Sequence, residues 1–190
     1  IVVLVLLELC IAHEVVHYAR NAETRRAPRE LLKLHPMCKS PLLEDDGQVS
    51  AETGAIAEYL LGRYDPDHKL HPAASSPDFA RYLEWVHAGE GAIFLPGLFR
   101  HYLTMGNLLD HPIAASMAAE QMKAIKTIEG HLAKHAYFAG DSFTAADCLM
   151  GFQLQSTEAA GALANCPASA AWLNKVRERP AYKKMLEVGI

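Results

Sequence analysis

The chain has 190 residues, 51% of them apolar and 21% charged, with a formal net charge of -4 when its ten histidines are neutral. That balance describes an ordinary water-facing chain of one domain or two small ones, and it excludes a basic nucleic-acid surface. Cys10, Cys38, Cys148 and Cys166 stand far apart without a C-x-x-C pair, which argues against a zinc knuckle or a secreted disulfide framework and favours a reducing, cytoplasmic location.

The first run, IVVLVLLEL, is apolar for seven residues and then meets Glu8. It is too short to span a membrane and suits a buried helix over 1–9. The chain starts with isoleucine in mid-element, and a missing segment upstream is expected. HEVVHY, residues 13–18, predicts a strand because Val15 and Val16 sit between polar flanks. HEVVH also matches the H-E-x-x-H pattern of zinc peptidases, but that pattern needs a helix to bring its histidines to one face. On a strand they would stand roughly 13 Å apart, so no metal is expected. Arg25-Arg26 reads as a solvated turn.

Pro28 opens RELLKLH and Pro36 closes it, which predicts a short helix or irregular loop. PLLE and QVSA flank Asp46-Gly47, a strong short-range hairpin signal. ETGAIAEYLLGRY then carries Ile56, Tyr59, Leu60 and Tyr64 at helical spacing, so a helix is expected to begin near Glu52. Residues 65–77 hold three prolines and a serine pair and read as an exposed linker.

Beyond the linker the pattern is helical. A long stretch over 78–106 is expected to kink at Pro96, and Pro112 opens a helix running to about Lys134. Thr144 and Asp147 have the spacing of a capping box, while Pro167 and Pro180 start two last helices. His131 and His135 have i, i+4 spacing with no acid between them and are expected to be solvated. Phe94, Phe99 and Tyr102, at helical spacing, line either a pocket or the core.

In the hairpin, strands 41–44 and 48–51 return Pro41 and Glu52 to one sheet edge. There Lys39 and the Ser40 backbone meet the N-terminus of the helix at Glu52 and Thr53, whose free N–H groups favour a carboxylate. An extended peptide suits this corner if it has one carboxylate for the helix end, an ammonium for Glu52, a second carboxylate for Lys39 and an amide to pair with Ser40. A cis bond before Pro41 would turn the Ser40 N–H and C=O toward such a peptide.

The segment KSPLLEDDGQVSAETGAIAEYL resembles the signature of the glutathione S-transferase family, in a bacterial or fungal-like branch, and glutathione has all four of those features. YLEWVHAGEG, GDSFTAAD and WLNKVRERPAY extend the likeness over nearly the whole chain. The resemblance implies an α/β unit followed by an all-α one. The first is a thioredoxin-like glutathione-binding domain over 1–64, incomplete because its first strand is absent, and it is followed by the linker 65–77 and a helical domain over 78–190.

The resemblance also implies a homodimer, with glutathione as co-substrate, a small apolar electrophile as the other substrate, and no metal, nucleic acid or membrane. Lys39 would contact the glycine carboxylate and Ser40 the cysteinyl backbone. Pro41 would be the cis-proline, and Glu52 and Thr53 would hold the γ-glutamyl group. The activating hydroxyl is expected upstream of residue 1, so the catalytic residue is unknown.

The chain departs from its relatives at Cys10, Ala12 and Cys38. It also has Phe94 where some relatives place an acid that crosses to the partner subunit. Cys38 reads as a small buried loop residue, with a reactive thiol beside Lys39 as the rival. The alternative to a conjugating enzyme is a non-catalytic protein of this fold that binds ligands or partners.

Overall fold

The computed structural model describes residues 1–24 and 26–188. Arg25, half of the expected Arg25-Arg26 turn, lies outside them. Helix α1 (Val2–Glu8) buries Val2, Leu4, Val5 and Leu6. A short 3-10 helix follows at Arg29–Lys33 between the two prolines, closing over buried Leu31.

The hairpin pairs β1 (Leu42–Asp45) with β2 (Gln48–Ala51), from Leu42 opposite Ala51 to Asp45 opposite Gln48. Asp46 and Gly47 have φ of 49° and 76°, the left-handed pair that a two-residue hairpin turn with primed geometry needs. Nothing lies within 4 Å of a Cβ added at Gly47, so the cost of a side chain there is conformational only. Gly47→Ala is expected to lower stability by about 1 kcal/mol, read by urea unfolding. A wild-type midpoint would contradict this account of the turn.

Helix α2 (Thr53–Tyr64) packs Ile56, Ala57, Leu60 and Leu61 inward. Its outer face grips the hairpin: the Tyr59 and Tyr64 hydroxyls donate to Asp45 Oδ2 at 2.8 and 2.6 Å. These bonds, Tyr64's first, hold the Asp45 carboxyl below its ordinary range.

The second unit is helical: α3 (Phe79–Ala88), α4 (Phe94–Met105), α5 (Pro112–Leu132), α6 (Ala145–Ala159), α7 (Pro167–Arg177) and α8 (Pro180–Glu187). Three of them have proline in the first turn, where its missing N–H costs nothing. Thr144 and Asp147 form the capping box of α6, and that helix starts wholly buried from Ala145 to Gly151. Arg179, just before α8, clamps Glu8 at the end of α1 with two bonds of 2.6 and 2.7 Å. One apolar core therefore runs through both units, from Val5 and Ile56 to Trp85, Leu149 and Leu173.

Four local expectations are corrected. Residues 13–18 form no strand, although half-buried Ile11, His13 and Val15 alternate with exposed Ala12, Glu14 and Val16 in the two-residue period of one. A strand needs a neighbour to complete its ladder, and none pairs with this segment among the described residues. HEVVH has no helical face either, and His13 Nδ1 lies 2.8 Å from the Ile11 carbonyl oxygen.

The long helix is interrupted not at Pro96 but one turn earlier, by a π segment at Gly89–Ile93. Pro96 has no N–H for the carbonyl of Ala92 and its ring crowds that group, so the backbone widens ahead of it.

The linker is docked in part. Asp65 is buried and accepts from the Lys69 and Leu70 amides at 2.8 Å each, while buried Leu70 offers its carbonyl to Ala145 N at 2.7 Å. His131 is half-buried rather than solvated. Its ring stacks on Phe138 with centroids 5.7 Å apart and leans on Trp85 at 4.7 Å.

Candidate functional site

The hairpin register places Leu42 opposite Ala51, so the residues just outside that pair, Pro41 and Glu52, emerge at the same sheet end. The Ser40–Pro41 peptide bond is cis, as expected. Lys39 and Ser40 are exposed beside it, Pro41 is half-buried, Glu52 is exposed and Thr53 is buried at the base. All five predicted residues therefore flank one sheet end.

Helix α2 enters this corner without a side-chain cap; the first backbone acceptor in use is the Glu52 carbonyl, taken by Ile56 N at 2.9 Å. The amides of its first turn point out of the helix N-terminus with the positive end of its dipole. Glu52 itself has φ 73° and ψ 121°, a conformation that non-glycine residues adopt only under constraint.

Glu90 lies in the π segment, and its carboxyl is raised above the ordinary glutamate range by desolvation first and by the Glu52 charge second. The negative charge of Glu52 thus reaches Glu90, a field that favours a cation between them.

Cys38, with φ 51°, is half-buried, and its thiol donates to the Pro28 carbonyl at 3.5 Å, in keeping with the structural loop reading. The aromatic trio separates. Phe94 lines a cavity of about 490 Å³ between α4, α5 and α6, its ring 6.3 Å from that of Phe152. Phe99 and Tyr102 instead face outward, 52% and 61% exposed.

The family description "Glutathione S-transferase, N-terminal domain" matches residues 1–61 and "Glutathione S-transferase, C-terminal domain" matches residues 110–180. Glutathione S-transferase 3 of Schizosaccharomyces pombe is 30% identical over 201 residues, covering 96% of this chain and 80% of that protein.

Among solved structures, a glutathione S-transferase from Actinobacillus pleuropneumoniae superposes with a TM-score of 0.89 at 30% identity, covering 98% of this chain and 85% of that one. A Phanerochaete chrysosporium glutathione transferase solved with oxidized glutathione gives 0.77 at 26% identity, covering 98% and 87%. With a hairpin-and-helix corner ahead of a helical unit, and both halves matched in that order, the chain belongs to the glutathione S-transferase family.

Proposed function

We propose that the protein is a glutathione transferase that binds glutathione at the Lys39–Pro41 and Glu52–Thr53 corner and directs its thiolate onto small apolar electrophiles. The observation that carries this reading is the hairpin register, which gathers a cation, an open peptide backbone and an uncapped helix N-terminus at one edge. Lys39 takes the glycine carboxylate, and the Ser40 backbone pairs with the cysteinyl residue. The α2 amides and Thr53 take the γ-glutamyl carboxylate, while Glu52, with Glu90 behind it, takes the ammonium.

Conjugation breaks the thiol S–H bond and forms a sulfur–carbon bond; in a substitution the electrophile's leaving group departs with its bonding electrons, and in an addition the electron pair freed at the electrophile takes up the proton. A thiol of pKa ~8.5 needs its anion stabilised for this near pH 7. Residues 1–64 would hold glutathione and residues 78–190 the electrophile, with 65–77 joining them.

The protein is proposed to act as a cytoplasmic homodimer. Leu95, Phe99 and Tyr102 expose an apolar stripe on α4 at helical spacing, a face suited to cover by a second copy. Its four cysteines are all free, as a reducing compartment keeps them.

Calorimetric titration with reduced glutathione tests the reading. Saturable binding is expected, weakened about tenfold in Lys39→Ala through loss of a charge-assisted hydrogen bond. Absence of binding by the folded wild-type protein would overturn the proposal.

A further inference from the structure

Asp65, His68 and His71 form a line of contacts in the segment that joins the two units. His71 Nδ1 lies 3.0 Å from Asp65 Oδ2, and His71 Nε2 lies 2.9 Å from His68 Nδ1. Asp65 is buried, His71 half-buried and His68 exposed, so the line runs from the core to solvent. The His71 ring also packs against Tyr82 of α3, with centroids 6.4 Å apart. The turn that brings the rings together is tight: His68 has φ 53°, and its N–H donates to the Asp65 carbonyl at 3.1 Å.

An ionised carboxylate only accepts, so a neutral His71 carries its proton on Nδ1 and keeps a lone pair on Nε2, the nitrogen turned toward His68. A carboxylate behind an imidazole is also the arrangement that fixes the tautomer and direction of a metal-binding histidine. The contact between the two rings does not have the shape of a good hydrogen bond. An in-line N–H···N bond of this length would hold the centroids about 5.2 Å apart. They are 4.5 Å apart, with the ring planes at 64°. Two imidazoles that share an ion about 2.1 Å from each nitrogen, at a right angle, have nitrogens about 3 Å apart and centroids about 4.5 Å apart. A tetrahedral ion would spread the nitrogens to about 3.4 Å. Both observed distances therefore fit a right-angle chelate.

We infer that His68 Nδ1 and His71 Nε2 form a site for a divalent transition-metal ion that favours right-angle ligands, of the Ni2+ or Cu2+ class, with Asp65 orienting His71 from behind. Among the described residues no group of three or more metal-ligating side chains gathers, so water completes the coordination and the ion exchanges with solvent. Binding pins the joining segment. His71 is tied through Asp65 to the end of α2, and its neighbour Leu70 accepts at its carbonyl from the Ala145 N–H of α6. The site does not depend on the glutathione reading.

The probe is Ni2+, titrated calorimetrically into tag-free protein at about pH 7.5, where an ordinary histidine is neutral, with no thiol in the buffer. One ion per chain is expected to bind and to raise the melting temperature. His68→Asn removes the imidazole but keeps a residue that tolerates the left-handed backbone, so it should fold as wild type does. It should weaken Ni2+ binding at least tenfold, the loss typical of even an outer-shell partner, and abolish the thermal shift. His17→Asn, which removes an exposed histidine from HEVVH, should bind as wild type does. No binding by the folded wild type, binding that survives His68→Asn, or an equal loss in His17→Asn would each overturn the inference; an ion held by Cys10 or another histidine would survive His68→Asn. Zn2+, which prefers the wider tetrahedral spread, should bind wild type more weakly than Ni2+, and tighter Zn2+ binding would overturn the right-angle geometry. That comparison stands without any variant.

Discussion

Asp147→Ala is expected to lower stability by about 3–5 kcal/mol, the cost of removing a buried acceptor hub from the donors gathered on it. In a chain of this size that corresponds to a melting temperature lower by roughly 10 °C. Asp147 is fully buried at the first turn of α6. Its Oδ1 accepts from Phe138 N at 3.1 Å and Trp172 Nε1 at 3.3 Å, and its Oδ2 from Thr144 N at 2.8 Å and Thr144 Oγ1 at 3.0 Å. One carboxylate thus joins the loop before α6, the helix start and the ring of α7. Alanine would leave four donors without acceptors in a packed core, where each costs more than a surface hydrogen bond returns.

Asp147 also has a pH signature. Burial pushes its carboxyl from 3.8 up to about 6, against the pull of the four hydrogen bonds. A raised acid favours folding while protonated. Its contribution is therefore complete below about pH 4 and lost as the pH rises through about 6. Asp147→Asn cannot ionise, so its deficit relative to wild type should be larger at pH 4 than at pH 7 in urea unfolding. A deficit that grows with pH would mean that the carboxylate is held ionised in the fold.

Glu52→Gly is expected to separate function from stability. The φ of 73° at Glu52 lies where a side chain is strained, and glycine relieves that strain. Relief outweighs the extra chain entropy of glycine, and a net gain of about 1 kcal/mol in thermal unfolding is expected. Glutathione affinity should fall at least tenfold, because the carboxylate proposed to pair with the ligand ammonium is gone. Glu52→Ala is the control: it keeps the backbone strain and should match the glycine variant in affinity without its gain in stability. Unchanged affinity in both variants would remove Glu52 from the binding site.

What could be read in advance was governed by neighbours in the chain. Asp46-Gly47 sets the hairpin, and the hairpin sets the register that carries Lys39, Ser40 and Pro41 to Glu52 and Thr53. That corner was legible because all of its parts lie within one turn-linked segment. The proline-started helices and the Thr144–Asp147 box follow equally local rules, since caps depend on groups three or four residues away.

The remainder depended on distant partners. Residues 13–18 keep the period of a strand but have no ladder, because pairing belongs to two segments and not to one. Glu90 feels the charge of Glu52 only in the assembled fold, and buried Leu70 accepts at its carbonyl from the distant Ala145 N–H. The Gln153 Nε2 is left without a partner only in the packed fold. By itself the sequence determined the local elements and the corner at which glutathione is proposed to bind, because short-range backbone and capping energies specify them, and its motifs pointed to the family. Only the tertiary structure decided which polar groups are left unpaired in the core, because burial is a property of packing and not of residue order.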